Sequence, residues 1–99
     1  METTMEQLIA DLTTQTLEIK IRAAVAQDAF TAERARQERL YCEGQGWKAP
    51  LKPHQFRAMN RMVDGIMDRS NHAAELTAAM RALREHNWRI VRMRAGYAA

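Results

Sequence analysis

The residues of this 99-residue chain that are best suited to bind a ligand are arginines spaced at a helical period near its C-terminus. On a helical wheel they fall within an arc of about 140°, together with one tryptophan. The set is Arg81, Arg84, Trp88, Arg89 and Arg92. Spaced guanidinium groups neutralise phosphates, and an indole among them stacks on a base. The pattern therefore indicates a candidate nucleic-acid-binding face.

The same residues also fit a solvated outer face, in which Glu85 pairs with Arg81 and Arg89 at helical spacing. This interpretation is favoured, because a pI near 9.5 is common among nucleic-acid-binding proteins but is not specific to them. Trp88 favours binding instead, since a tryptophan on a polar face needs something to cover it.

No residues combine into a catalytic or metal-binding set. Asp64, Asp68 and His72 follow one another at four-residue spacing, as metal ligands on one helix face would. Ion pairing of the aspartates with Arg57 and Arg61 explains them better. We therefore predict a non-enzymatic protein with no metal and no cofactor.

The composition predicts a chain that does not enter a membrane. The longest uninterrupted apolar run is 23–26, far below the length that spans a bilayer. Glu2 and Glu6 occupy the region where a signal peptide carries basic residues. The lone Cys42 cannot form an internal disulfide and suits a reducing compartment, so we expect a cytoplasmic location.

Charge is divided unevenly along the chain. Residues 1–43 hold five basic and eight acidic side chains, for a net charge of −3. Residues 52–99 hold nine basic and four acidic ones, for a net charge of +5. Residues 1–18 carry four carboxylates and no basic side chain. An acidic end of a partner chain could therefore lie against the arginines.

One stretch of turn-forming residues sets the architecture. Gly44, Gly46, Pro50 and Pro53 fall within ten consecutive positions, and the flanking segments read as helix. Thr3 and Glu6 form a capping box at the start of the first helix, and Gly44 suits the position that ends it. Pro53 suits the first position of the second helix.

A shift in helical phase divides the second half of the chain. The apolar stripe of residues 76–90 is rotated by roughly 130° from that of residues 56–67, more than supercoiling absorbs. Ser70 and Asn71 lie at the shift, and both are good N-cap residues. We therefore predict one all-α domain over residues 1–99, with helices at about 3–43, 53–69 and 71–95 and a turn at 44–52. The long first helix packs antiparallel on the other two, as in a coiled-coil hairpin.

The first helix carries two apolar stripes. The longer one faces the other helices and consists of Met5, Leu8, Ile9, Leu12, Thr16, Ile19, Ala23, Ala26 and Phe30. A second stripe lies nearly opposite and consists of Leu17, Ile21, Ala24 and Val25. Two apolar faces require two neighbours, so we predict a homodimer or higher oligomer.

Three other features bear on interactions. Trp47 in the turn either covers the helix ends as a lid, which is favoured, or projects as an interface anchor. Met59, Met62 and Met67 are expected to fill the core, or alternatively to line a groove for a partner helix. His86 has no spaced partner, so we expect it at the surface or its boundary.

The leading hypothesis is a non-enzymatic interaction protein that self-associates through Leu17, Ile21, Ala24 and Val25 and binds another macromolecule, with a protein partner favoured. Nucleic-acid binding through the C-terminal arginines is the first alternative. A scaffold or chaperone-like hairpin that binds a partner helix is the second.

Overall fold

The computed structural model describes the backbone of residues 4–98 and the side chains through residue 96. The described chain forms three α-helices, α1 (Met5–Gln45), α2 (Pro53–Asp68) and α3 (Asn71–Ala98), and contains no strand. The molecule measures 66 × 26 × 23 Å, and its radius of gyration is 20.5 Å. A compact domain of this length would have a radius of gyration of about 13 Å. The all-α class and the long helix packed on two shorter ones are confirmed.

Contacts between the helices show that the hairpin is antiparallel. Cys42 contacts Met59 near the turn, and Thr16 contacts His86 near the other end. α2 and α3 lie one after the other along α1 and contact each other little. The result is a rod with the turn at one end and, at the other, an open end whose described residues belong to the start of α1 and the end of α3.

Helix α1 begins and ends later than the sequence predicted. The predicted N-cap, Thr3, lies outside the described residues, and the N-cap is Thr4. The Gln7 backbone N–H donates to Thr4 Oγ1, and the Thr4 N–H donates to Gln7 Oε1, both at 3.1 Å. At the other end the helix continues through Gly44 and stops at Gly46, which has a left-handed φ of 72°. Glycine adopts this conformation without the steric cost that other residues meet.

The predicted break between α2 and α3 is confirmed. Ser70 Oγ accepts a hydrogen bond from the Ala73 N–H at 3.2 Å and donates to the Met67 carbonyl at 2.6 Å. It therefore caps the start of α3 and the end of α2 at once. α3 runs past Gly96 to Ala98, three residues beyond the predicted end.

Two small apolar clusters hold the helices together. The cluster near the turn contains Met59, Val63 and Met67 of α2, packed against Phe30, Tyr41, Cys42 and Leu51. The central cluster contains Ala23, Ala26 and Ala79, packed against Leu76 and Leu83. The remaining members of the predicted stripes are not all buried. Large exposed ones are Met5, Leu8, Ile9, Phe56, Met62 and Met80.

Candidate interaction surfaces

The second apolar stripe of α1 is exposed to solvent. Leu17, Ile21 and Val25 keep 59%, 53% and 62% of their surface accessible, and Ala24 is also exposed. We call Leu17, Ile21, Ala24 and Val25 the outer stripe. It lies across the helix from the buried Ala23 and Ala26, and no described part of the same chain covers it.

The open end of the rod carries a second apolar surface. A groove of about 350 Å³ lies between the start of α1 and the end of α3. Its apolar lining is Met5, Leu8, Ile9, Leu12 and Met93. Asp11 of α1 and Arg89 of α3 also line it. We call this surface the end groove. Sequence periodicity placed its α1 residues in the core, but a single facing helix leaves Met5, Leu8 and Ile9 at least half exposed.

The C-terminal arginines form a continuous exposed surface. Arg81, Arg84, Trp88, Arg89 and Arg92, here called the arginine face, are all exposed, and Trp88 keeps 58% of its surface accessible. Glu85, Trp88, Arg89 and Arg92 line a shallow depression on this face.

The arginine face has no ion pair within residues 4–96. Every ion pair found within residues 4–96 involves Arg34, Arg36 or Arg39 of α1. The predicted pairing of Glu85 with Arg81 and Arg89 is therefore not formed.

Trp47 lies against the end of α1. Its ring packs edge-on against Tyr41, with centroids 5.6 Å apart and an interplanar angle of 78°. Its backbone N–H donates to the Cys42 carbonyl at 2.9 Å. The half-buried ring matches the lid interpretation, and its use as an interface anchor stays a prediction.

The α2 residues considered for other chemistry have structural partners. Met59 and Met67 are 3% and 1% exposed, so they belong to the core, and only Met62 of that trio reaches the surface. Asp64 pairs with Arg34 of α1 at 2.7 Å. The predicted partners on its own helix are not used, because Arg34 faces Asp64 across the hairpin. No group of three or more potential metal-binding side chains occurs among the described residues.

His86 is the residue whose environment differs most from the expectation. It is 1% exposed, and its Nε2 lies 2.6 Å from Thr16 Oγ1 of α1. The Thr16 hydroxyl donates its single hydrogen to the Leu12 carbonyl at 2.8 Å, so it accepts from His86 Nε2–H. His86 Nδ1 is then an acceptor, and it is buried without a partner. The sequence signal was Thr16, a polar residue within an apolar stripe.

One local contact perturbs a carboxyl group strongly. Arg36 donates two hydrogen bonds to Glu33, and Gln37 donates a third. These donors hold the pKa of Glu33 at about 2, below its ordinary value of 4.5. All three residues lie within two turns of α1, so the contact is structural and local.

Comparison of the chain with known protein families, curated proteins and solved structures found no match. In the described part of the chain, none of the helices combines the length and apolar character needed to cross a bilayer.

Proposed function

We propose that this chain is a non-enzymatic helical interaction protein that self-associates and binds another macromolecule, with a second protein as the favoured partner. The observation that carries the proposal is the exposed outer stripe, with large apolar side chains at successive turns of one helix face. A cytoplasmic location stays a prediction that the lone cysteine supports.

The energetics favour covering this surface. A fully buried Leu, Ile or Val side chain contributes about 1.5–3 kcal/mol, so burying the exposed half of each contributes about 1 kcal/mol. A symmetric dimer buries each contact twice, because the same patch on both copies forms the interface. The outer stripe and the end groove thus each offer several kcal/mol toward association.

Sedimentation velocity over a range of concentrations tests self-association. The wild-type chain should change from 11.4 kDa to twice that mass as its concentration rises. Ile21→Lys on the outer stripe should weaken the assembly, whereas Leu40→Lys, at an exposed leucine elsewhere on α1, should not. A wild-type chain that stays monomeric at about 100 μM would refute the proposal, because this concentration is well above the dissociation constant of most specific contacts.

A second candidate function, nucleic-acid binding, is supported by the arginine face. Its guanidinium groups have no ion-pair partner among the described residues, and Trp88 stands exposed between them. Contacts to about four phosphates of duplex DNA would give a slope of about −3.6 for the logarithm of the binding constant against the logarithm of the salt concentration.

Fluorescence anisotropy with labelled single- and double-stranded DNA tests this second function. The double variant Arg84→Glu with Arg92→Glu should abolish binding, while Arg57→Glu on α2 serves as the control. Trp88→Ala should weaken binding to single strands more than to duplex, because stacking needs unpaired bases. If neither single- nor double-stranded DNA binds at low salt, nucleic-acid binding is excluded.

A further inference from the structure

We propose that the end groove binds the end groove of a second copy, so that two hairpins lie side by side with their turns at the same end. This inference rests on the proposed self-association and specifies its geometry. The end groove forms the centre of the interface, and the outer stripe flanks it at Val25, which lines a depression together with Glu75 of α3. Leu17 and Ala24 point away from this interface. The start of α1 and the end of α3 of one copy then pack against the same two segments of the second copy. The product is a four-helix bundle in which each helix is antiparallel to its neighbours.

The charges of the end groove are self-complementary in this arrangement. Asp11 lies on α1 and Arg89 on α3, both line the groove, and neither has an ion pair among the described residues. A two-fold axis parallel to the helices sets α1 opposite α3 of the second copy. Asp11 of each copy then faces Arg89 of the other, and the pair forms twice.

A second pair of charges repeats the pattern further along the rod. Arg22 of α1 and Glu75 of α3 line a shallow depression together with Val25 of the outer stripe. Arg22 lies 14 residues after Leu8, so the two lie on the same side of α1. Glu75 lies 14 residues before Arg89, so these two lie on the same side of α3. The same two-fold axis sets Arg22 opposite Glu75 of the second copy.

The reverse orientation, with α1 beside α1 of the second copy, cannot join one end groove to the other without a charge conflict. When the two end grooves overlap in that orientation, Asp11 faces Asp11 of the second copy, and the like charges repel. Sliding the copies along each other removes this repulsion and sets Asp11 opposite Arg22, but the two end grooves then no longer meet.

The surface is large enough for a stable dimer. The side that runs from Met5 to Ala29 is about 37 Å long at 1.5 Å per residue. A pair of helices packed about 9 Å apart presents a face about 20 Å wide, so each copy contributes about 750 Å². Standard stable interfaces bury about 800 Å² per partner.

A charge-reversal cycle tests this geometry, with dimer dissociation measured by sedimentation on the full chain. Asp11→Arg and Arg89→Asp should each raise the dissociation constant by about tenfold, because two facing pairs become like-charged. The double variant should return to within about threefold of wild type, since the attraction is restored with the signs exchanged. Arg61→Asp, at an exposed arginine of α2, is the matched control, and circular dichroism verifies that every variant keeps its helix.

The outcomes separate this inference from the proposal beneath it. A dimer that Ile21→Lys weakens but neither groove reversal affects would overturn the end-groove geometry and leave self-association standing. A double variant no better than the single ones would show that Asp11 and Arg89 do not face each other across the interface. A wild-type monomer at every concentration would overturn both.

Discussion

The buried contact between Thr16 and His86 makes a sharp test of the structure, because each partner can be removed with an opposite expected effect. Thr16→Val keeps the side-chain shape but leaves His86 Nε2–H buried and unpaired, next to a ring nitrogen that already lacks a partner. Leaving a buried donor unsatisfied costs about 1–3 kcal/mol. For a chain of this length, that loss lowers the melting temperature by about 4–8 °C per kcal/mol.

His86→Leu should behave differently. It removes both imidazole nitrogens, including the unpaired Nδ1, and replaces them with an apolar side chain of similar volume. Thr16 keeps its hydrogen bond to the Leu12 carbonyl, so the substitution leaves no orphaned group on α1. We expect stability equal to wild type or up to about 1 kcal/mol higher.

Urea denaturation of the four members of the double-mutant cycle, at one fixed protein concentration, measures these differences. Thr16→Val should be costly in the wild-type background and nearly neutral in the His86→Leu background, since the unpaired donor exists only in the first. A neutral Thr16→Val would refute the assigned hydrogen bond. A loss above about 2 kcal/mol for His86→Leu would show that the imidazole has stabilising partners and that its burial is not a cost.

Three further predictions concern the turn, the acid range and the core. Gly44→Ala should stabilise the chain by about 0.5–1 kcal/mol because this glycine is helical, whereas Gly46→Ala should destabilise it by about 1 kcal/mol because its φ is 72°. A Cβ meets nothing within 4 Å at either site, so thermal melts of the pair isolate backbone conformation, and shifts of the same sign would contradict this account. Glu33 has a folded pKa of about 2 against 4.5 ordinarily, so its stabilisation is present above pH 4.5 and lost as the pH falls toward 2. Acid titration followed by circular dichroism should show Glu33→Gln lacking that component, and an unchanged acid profile would remove the assigned role of the Arg36 contact. Val63→Ala, at a side chain with 0% exposure, should cost about 2 kcal/mol in urea denaturation, and a cost below about 0.5 kcal/mol would mean that the cluster near the turn is loosely packed.

Helical periodicity predicted the elements of this fold because it depends on residues a few positions apart. The phase shift at Ser70 and Asn71 identified the break between α2 and α3 for the same reason. The N-cap was misplaced by one residue because two adjacent threonines each precede a Glu or Gln by three positions, and local chemistry fits both.

The contacts between helices could not be predicted in the same way. Asp64 pairs with Arg34, and not with the arginines on its own helix, because the register of the hairpin brings the two together. His86 is buried, and not at the surface as expected, because the rotation of α3 about its axis is set by packing on α1. Exposure at the open end depends on where other helices stop, which periodicity within α1 does not encode.

The small contact between α2 and α3 has a consequence for how the molecule responds to stress. The two apolar clusters are connected mainly through α1, with only the Ser70 cap and a small contact joining α2 to α3, so loosening one cluster disturbs the packing of the other little. Opening of α2 and the turn can therefore precede global unfolding, and amide hydrogen exchange would register this as two tiers of protection. Substitutions near the turn should likewise disturb the packing of the central cluster little.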